Sequence, residues 1–430
     1  MKLLIVSPHF PPINAPDHQR VRMALPYFKK FGWEPVVLAV KPEHVEGVHD
    51  SFLAQTLPPD LQVVWSNALS AKWTRRFGIG SLAYRAWGHL KRAGDALLQR
   101  EKFDLIFFST TQFPLTALGP RWKKLFNVPY VLDFQDPWFS DYYKHHPERR
   151  PPGGKVKYQL SNILAKRLEP LVVREAKHII CVSAAYPKML NRRYPDVSLD
   201  RFTTLPFGAV ESDFEFLRAN PLAQKQFDPR DGKRHWVYVG RGGNDMAVSL
   251  KAFFLALKQV FATQPELHNK LRIHFIGTDY APHGRGTKTV EPLAAEFGLG
   301  DIMSEGTDRI PYFEALQCLL DADALFIPGS DDAGYTASKT YPYILARKPL
   351  LAVFHEESSV VEVLNNTRAG TVVSFKQEDS LETVVNKILA TGWLQNRIVP
   401  ETDWSAFERY TACEMSRRLC EAFGQTSDEN

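Results

Sequence analysis

The first feature that the sequence lacks is the glycine pattern of dinucleotide-binding enzymes. The predicted first strand, Leu3–Ser7, is followed by the loop PHFPPINAPDHQ, which contains no glycine. Dinucleotide-binding folds need glycines at this point because the pyrophosphate approaches the backbone closely. A nicotinamide- or flavin-dependent enzyme is therefore disfavoured.

Cysteine and long apolar runs are also scarce. The four cysteines, at positions 181, 318, 413 and 420, form no CxxC pair and have no paired histidines, so a structural zinc site is not expected. A reducing compartment suits this cysteine usage. No apolar run approaches the length that crosses a bilayer, and the apolar part of MKLLIVSPHFPP is too short for a signal peptide. We expect a cytoplasmic protein, with peripheral contact at the inner face of the cell membrane as an open alternative.

The overall composition is that of a soluble globular protein with a modest excess of positive charge. The 430 residues are 44% hydrophobic and 23% charged, and this length is sufficient for two or three domains with separate cores. The net charge of +5 suits anionic partners such as phosphates or an acidic membrane surface, but it does not single out nucleic acid. We expect no nucleic-acid partner.

Strand and helix patterns alternate through both halves of the chain. The strand Leu3–Ser7, a helix with Val21, Leu25 and Phe28 on one face, and the strand Trp33–Val40 form a right-handed βαβ opening. The alternation restarts with the strand HWVYVG and the helix AVSLKAFFLALKQVF. This order predicts parallel α/β structure in each half.

One stretch, Thr336–Phe354, combines a short helical pattern with a buried strand, LLAVF. Ser338 is a good N-cap, and Lys339 falls in the first helical turn, where the backbone N–H groups favour an anion. A lysine in the first turn is unfavourable for an isolated helix, which indicates a negatively charged partner. The alternative is a solvated lysine beside a capping serine.

A second stretch, PYVLDFQDPW, places carboxylates at the end of a predicted strand. Since Val131 and Leu132 end this strand, Asp133 and Asp136 fall at the sheet edge where α/β proteins bind ligands. One of these carboxylates could accept a proton from an acceptor hydroxyl. The alternative is that both cap turns and helices.

The third unusual stretch, residues 66–102, is basic and aromatic. Between Lys72 and Lys102 it carries eight Lys or Arg against two acids, interleaved with aromatic side chains at 73, 77, 84 and 87. Such a segment suits an anionic membrane surface. The alternative, which we favour, is an ordinary surface helix whose aromatic side chains pack inward.

Taken in order, about six segments resemble the group 1 retaining glycosyltransferases, a large family of GT-B fold. The stretch from Ser338 resembles the family's sKlyeYLaagkPil segment, and matching positions are Ser338, Lys339, Tyr341, Tyr343, Ala346, Lys348 and Pro349. Arg241 matches an arginine that follows the first strand of the family's second domain. Two positions in this stretch differ, because Pro342 replaces the glutamate that binds the donor ribose and Arg347 replaces a glycine.

The resemblance implies an α/β protein of GT-B fold, with two Rossmann-like domains facing a central cleft. The expected divisions are an acceptor-side domain over 1–206, a nucleotide-sugar-binding domain over 207–400, and a C-terminal helix over 401–424 that packs back on the first domain.

The resemblance also implies an activity, namely sugar transfer from a nucleotide-sugar donor to an acceptor hydroxyl with retention of configuration. Arg241 and Lys339 are expected to neutralise the departing diphosphate without a metal or other cofactor, and Asp136 is the third candidate catalytic residue. The leaving phosphate oxygen could itself take the acceptor proton. The expected donor-binding residues are Arg20, Gly240, Gly277, Ser338, Thr340 and Asp331. A family glutamate aligns with Gly334, and Asp331 or Asp332 could substitute for it.

The expected acceptor is a carbohydrate or a lipid-linked molecule in cell-surface polysaccharide or glycolipid synthesis. A second hypothesis is a glycosyltransferase-like protein without transfer activity that acts as a binding or scaffold subunit. The absence of both family glutamates, of the loop glycines and of one phosphate-binding lysine favours this hypothesis. A nucleotide-sugar epimerase or hydrolase would fit the fold but not these motifs.

Overall fold

The computed structural model describes residues 1–139, 154–281, 284–331 and 340–424, with the side chains of 155–157 left aside. The chain forms two compact units. Unit 1 contains Met1–Gly208 together with the residues from Ala412 onward, and unit 2 contains Ala209–Thr411.

Unit 1 is built on a seven-stranded sheet in the order β5-β3-β1-β6-β7-β8-β9, in which all neighbouring strands are parallel. A short antiparallel pair, β2 and β4, lies outside this sheet. The strands are β1 (Lys2–Val6), β2 (Ile13–Asn14), β3 (Glu34–Val40), β4 (Val48–His49), β5 (Gln62–Ser66), β6 (Leu105–Ser109), β7 (Tyr130–Phe134), β8 (His178–Cys181) and β9 (Phe202–Thr204). The strand order reverses between β1 and β6, so a ligand-binding crevice is expected at their carboxyl ends.

The helices of unit 1 cover both faces of its sheet. They are α1 (Gln19–Ala24), α2 (Ser51–Gln55), α3 (Ala71–Thr74), α4 (Leu82–Arg100), α5 (Leu118–Phe126), α6 (Lys155–Glu175) and α7 (Ala185–Arg193). Leu4 and Val6 of β1 belong to the core on one face, whereas Leu3 and Ile5 belong to the core on the other. Burial on both faces explains why these strands are continuous apolar runs.

Unit 2 repeats the same plan with a six-stranded parallel sheet in the order β12-β11-β10-β13-β14-β15. Its strands are β10 (Arg234–Val239), β11 (Leu271–Ile276), β12 (Met303–Gly306), β13 (Ala324–Pro328), β14 (Leu350–His355) and β15 (Thr371–Phe375). Its helices are α8 (Glu211–Ala219), α9 (Ala247–Thr263), α10 (Pro265–Lys270), α11 (Val290–Glu296), α12 (Tyr312–Asp321), α13 (Thr340–Leu345), α14 (Ser359–Thr367), α15 (Leu381–Ala390), α16 (Trp393–Asn396) and α17 (Trp404–Phe407). The order reverses between β10 and β13, which is the corresponding crevice position.

The helix α9, with the turn that precedes it, is long and apolar enough to span a membrane by length and composition. The structure gives another reason for this composition. Phe253 stacks on Phe326 of β13 with the ring centroids 3.9 Å apart, and Phe254 and Leu257 are also buried. This helix is not an uninterrupted apolar run, since it contains Lys251 and Lys258, and the core of unit 2 accounts for its apolar face.

The final helix, α18, covers Ala412–Gly424 and belongs to unit 1. Phe423 packs against Phe107 and Trp33, with ring centroids 5.0 and 5.5 Å apart. The predicted helix over 401–424 is thus interrupted, because residues before Ala412 form the separate short helix α17 and a turn within unit 2. Tyr341 stacks on Tyr410 and helps to hold this turn there.

The basic, aromatic segment does not follow either alternative completely. Trp87, on α4, packs against the core of unit 1, as expected for an ordinary surface helix. Trp73 and Phe77, however, lie before α4 and are 66% and 77% exposed. Tyr84, on α4, is also exposed, so the expectation that the aromatic side chains pack inward is wrong for these three residues and holds for Trp87.

Candidate functional site

The carboxyl end of β7 in unit 1 carries a buried carboxylate. Asp133, the fourth residue of β7, accepts hydrogen bonds at Oδ2 from Arg20 (2.9 Å), Ser109 (2.8 Å) and Gln135 (2.7 Å). Its other oxygen, Oδ1, is buried and has no hydrogen-bond partner within the part of the chain that the structure describes. The sequence prediction placed Asp133 beyond the strand; the structure places it inside β7, where the sheet buries it.

Arg20, a predicted donor-binding residue, lies in the interior of unit 1. Its side chain is fully buried, and besides the Asp133 pair its guanidinium donates to the backbone carbonyls of Leu205 (2.6 Å) and Pro206 (3.3 Å). It also lies 4.8 Å from the ring centroid of Phe207. These contacts tie α1 to β7 and to the chain that follows β9, and they leave the side chain without an exposed face. A contact between Arg20 and the donor stays a prediction.

A second pair, which the sequence interpretation missed, lies at the reversal point of the same sheet. The Nδ1 atom of His9 donates to the Asp17 carboxylate, at 2.8 and 2.9 Å from its two oxygens. The hydroxyl of Thr110, which directly follows β6, donates to the same carboxylate at 3.0 Å. The pair therefore joins the loop after β1 to the end of β6, where α/β sheets bind ligands.

The two members of this pair differ in exposure. Asp17 is buried, whereas 16% of the His9 side chain is exposed. Among the residues that the structure describes, the His9 ring has hydrogen bonds to Asp17 alone. Burial alone would raise the pKa of Asp17, but its interactions with His9, with the nearby His18 and with the hydroxyl of Thr110 together outweigh burial and lower that pKa. An ionised carboxylate on one imidazole nitrogen orients the ring and leaves Nε2 available to take up a proton.

Gln135 links these two parts of unit 1. Its amide donates to Asp133 and also to the backbone carbonyl of Asp17, at 2.9 Å. The buried amide thus supplies hydrogen bonds here without adding a charge.

Asp136, the predicted catalytic carboxylate, follows β7 by two residues and remains exposed. The protein around its carboxyl group reduces its hydration and raises its pKa, and the nearby charge of Asp17 acts in the same direction. A raised pKa makes a carboxylate a stronger base, which suits general-base catalysis. This catalytic role stays a prediction for Asp136.

In unit 2 the predicted donor residues gather at the carboxyl ends of β10 and β11. Gly240 directly follows β10, and its N–H donates to the carbonyl of Ile276 at 2.9 Å. Gly277 directly follows β11 and has φ +71°, a left-handed conformation that favours glycine. The carbonyl of Arg241 accepts a hydrogen bond from the hydroxyl of Tyr238 at 2.8 Å, which fixes the turn.

The guanidinium of Arg241 is paired within its own turn. Its Nη1 and Nη2 atoms lie 2.9 and 2.6 Å from the two carboxylate oxygens of Asp245, and both side chains are partly exposed. The hydrogen bond from Arg241 lowers the pKa of Asp245. Asp245 occupies the region where the family has a second phosphate-binding lysine, so this chain has a carboxylate close to the arginine instead.

The two sides of the reversal point in unit 2 are connected through this turn. The N–H of Asp331, which follows β13, donates to the backbone carbonyl of Asp245 at 2.8 Å. Thr340 begins α13 and is buried. Ser338 and Lys339 lie outside the described residues, so their predicted contacts with a donor stay predictions.

The two departures in the α13 segment have structural accounts. Arg347 has φ +57°, so it adopts the left-handed conformation that a glycine would favour at this family position. Its guanidinium lies 4.4 Å from the ring centroid of Trp404, a contact that glycine could not make. Pro342 lies in the first turn of α13, where a missing N–H costs little.

Among the residues that the structure describes, no group of three or more His, Cys, Asp or Glu side chains could hold a metal ion. The four cysteines are free. The sequence expectation of a site without metal or cofactor stays a prediction.

Comparison with known proteins gives no match to a family model and no significant match to a curated protein. Solved structures match at the level of the fold. A glycosyltransferase from Rickettsia africae has 14% identity and a TM-score of 0.60 over 100% of this chain and 99% of its own. HepE from Anabaena, crystallised with UDP-glucose, has 15% identity and a TM-score of 0.59 over 99% of this chain and 100% of its own.

The fold is also similar to that of an enzyme of another class. The UDP-GlcNAc 2-epimerase from Methanocaldococcus jannaschii has 12% identity and a TM-score of 0.52 over 99% of this chain and 100% of its own. At these identities the likeness concerns the fold alone. The sheet orders and these matches together show that the chain has the GT-B fold, with two Rossmann-like domains.

Proposed function

We propose that this protein is a glycosyltransferase that moves a sugar from a nucleotide-sugar donor to an acceptor hydroxyl. The observation that carries the proposal is the turn Gly240–Gly243, which places Arg241 at the reversal point of the second parallel sheet. Support comes from HepE, a protein of similar fold that was crystallised with UDP-glucose.

On the donor side, the proposal assigns the diphosphate to Arg241 and Lys339. A guanidinium is always charged and matches two phosphate oxygens with parallel N–H groups, so it stabilises the charge that develops as the nucleoside diphosphate leaves. Gly240 and Gly277 would admit the nucleotide close to the backbone. No metal or other cofactor enters this proposal.

On the acceptor side, two versions differ in the group that takes the acceptor proton. The first version, with retention of configuration, is supported by the family resemblance, and the leaving phosphate oxygen takes the proton. The second version is favoured by the His9–Asp17 pair. In this version Nε2 of His9 takes the proton, the acceptor attacks opposite the leaving group, and configuration is inverted.

The proposed role is the synthesis of a cell-surface polysaccharide or glycolipid in the cytoplasm, with a carbohydrate or lipid-linked acceptor. The resemblance of the motifs around Arg241 and Lys339 to those of the group 1 family is the support for this role.

Calorimetric titration with nucleoside diphosphates in the absence of metal tests the donor site. We expect UDP, the nucleotide held by HepE, to bind with micromolar affinity, and we also include the other nucleoside diphosphates. Arg241→Ala and Lys339→Ala should each weaken binding about 10- to 100-fold, because each removes a charged hydrogen bond to phosphate.

Arg272→Ala is the matched control, since this arginine lies at the opposite end of β11 and should not affect nucleotide binding. If no nucleotide binds to the folded protein, the donor site is wrong. If a nucleotide binds but no sugar nucleotide turns over with any acceptor, the binding or scaffold role is favoured over transfer.

The product separates the two acceptor-side versions. NMR of the new glycosidic bond shows whether the donor's configuration is kept or inverted. If it is inverted, His9→Gln should lower kcat about 100- to 10,000-fold while UDP affinity is unchanged. If it is kept, His9 is not the base, and the same variant should change kcat by less than about tenfold.

A further inference from the structure

An exposed apolar and basic segment lies between β5 and α4 of unit 1. It consists of helix α3, the 3-10 turn Arg75–Phe77, and the residues on either side. We call it the 69–79 patch, and its exposed apolar side chains are Leu69, Trp73, Phe77 and Ile79. Exposed apolar side chains that are clustered on a protein surface can mark an interaction site.

The apolar side chains remain exposed because the neighbouring helix already fills the core. On α4, the buried face is formed by Ala83, Ala86 and Leu90. The α3 helix and the 3-10 turn are together only seven residues long, and they have no buried residue. These side chains therefore lie on the surface.

The patch is nevertheless attached firmly to unit 1. Arg85, a buried residue of α4, donates to the carbonyls of Leu69 (2.8 Å) and His44 (3.0 Å). The N–H of Leu69 in turn donates to the carbonyl of Arg85 at 3.0 Å. The base of the patch is thus held by hydrogen bonds to a long helix, which reduces the conformational entropy that binding would cost.

Positive charges surround the apolar side chains. Lys72, Arg75 and Arg76 lie within the patch, and the guanidinium of Arg76 is 5.4 Å from the ring centroid of Trp73. Arg75 pairs with the exposed carboxylate of Glu46. Three cations and one anion leave a net charge of +2 next to the exposed rings.

We propose that the 69–79 patch docks on the surface of a membrane that contains anionic phospholipids. Tryptophan and phenylalanine would enter the boundary between headgroups and acyl chains, while the lysine and arginines would contact lipid phosphates. Charge complementarity favours this partner, because each basic residue near an anionic membrane adds to binding. The proposal does not depend on glycosyl transfer.

Co-sedimentation of the full chain with lipid vesicles tests this surface. We expect binding to vesicles of phosphatidylcholine with phosphatidylglycerol, little binding to phosphatidylcholine alone, and weaker binding as salt is added. Each basic residue near an anionic membrane strengthens binding about fivefold, so Arg75→Gln with Arg76→Gln should weaken binding to anionic vesicles about 25-fold. Trp73→Ala with Phe77→Ala should weaken it at least about tenfold, because the apolar area that enters the membrane is lost.

The control is Lys124→Gln with Leu125→Ala, which removes an exposed cation and an exposed apolar side chain elsewhere on unit 1. This variant should bind vesicles like the wild type, and Arg75→Lys with Arg76→Lys should retain binding because the charge is kept. All substituted side chains are exposed, so unchanged circular dichroism is expected.

Two outcomes would overturn the proposal. One is vesicle binding that is unchanged in both patch variants, which would place any membrane contact elsewhere. The other is a wild-type dimer in light scattering that Trp73→Ala with Phe77→Ala converts to a monomer without an effect on vesicle binding, which would assign the patch to a second copy of the chain.

Discussion

The Arg20→Ala substitution tests whether Arg20 stabilises unit 1 or binds a donor. The side chains of Arg20 and Asp133 are both fully buried, so the substitution leaves a buried carboxylate without its cation. Removal of one partner from such a pair costs about 3–5 kcal/mol. Ser109 and Gln135 still donate to the carboxylate, which places the ion-pair loss near the lower limit, about 3 kcal/mol.

A further loss comes from the backbone. The guanidinium donates to the carbonyls of Leu205 and Pro206, and each net hydrogen bond is worth about 1 kcal/mol. We therefore expect the free energy of unfolding of unit 1 to fall by about 3–5 kcal/mol. Hydrogen exchange of the peptide that contains β7, followed by mass spectrometry, measures this quantity for unit 1 without a contribution from unit 2.

Two further variants complete this experiment. Arg174→Ala removes the exposed ion pair with Asp196 and should leave the free energy of unfolding almost unchanged, because solvent screens such a pair. Arg20→Met with Asp133→Asn leaves no buried charge and should recover at least half of the stability lost in Arg20→Ala. If Arg20→Ala lowers the free energy of unfolding no more than Arg174→Ala does, and it abolishes UDP binding, then the structural role is refuted and the predicted donor contact of Arg20 is supported.

Three other predictions concern packing, pH and the donor turn. Gly94→Ala adds a Cβ that would overlap the Trp122 ring, so it should destabilise unit 1 by about 1–3 kcal/mol in urea unfolding. Gly88→Ala, on the same helix, has open space around the new Cβ and should stabilise unit 1 by about 0.5–1 kcal/mol. Equal effects of the two substitutions would contradict the packing argument. Burial lowers the pKa of His274 to about 4 in the folded protein. As the pH falls from 6.5 to 4, the unfolded chain therefore binds a proton at this histidine before the folded chain does, and the free energy of unfolding decreases. His274→Gln should reduce this slope by at most about 1.4 kcal/mol per pH unit in urea titrations at several pH values, and an unchanged slope would show that the imidazole does not titrate in this way. Asp245→Asn removes the ion pair with Arg241 and frees its guanidinium, so calorimetry should show about tenfold tighter UDP binding. Weaker binding would mean that the carboxylate of Asp245 holds the turn in its binding conformation.

The strands of both sheets follow from local sequence because both faces of a parallel sheet are buried. Leu3–Ser7 and the LLAVF run were predicted as strands, and the structure has strands at Lys2–Val6 and Leu350–His355. Positions at the sheet edges follow from the same reasoning, since a residue just after a strand lies at its carboxyl end. Arg241, which follows the predicted strand HWVYVG, is placed in this way, and in the structure it lies just after β10.

The functions of these edge residues depend on partners that local sequence does not identify. Arg20 pairs with a carboxylate 113 positions away, and nothing in its own helix indicates this. The His9–Asp17 pair is close in sequence, yet the fold and the hydroxyl of Thr110 decide that the aspartate is buried and the histidine partly exposed.

The sequence by itself determined the α/β class, the repeated alternation in two halves, and the edge at which polar residues gather. These properties depend on apolar runs and turns, which are local. Only the tertiary structure decided that Arg20 is an internal ion-pair residue, that Arg347 takes a left-handed conformation against Trp404, and that Trp73 and Phe77 stay exposed. Each of these outcomes depends on which distant groups share the same space, and a local pattern carries no information about that.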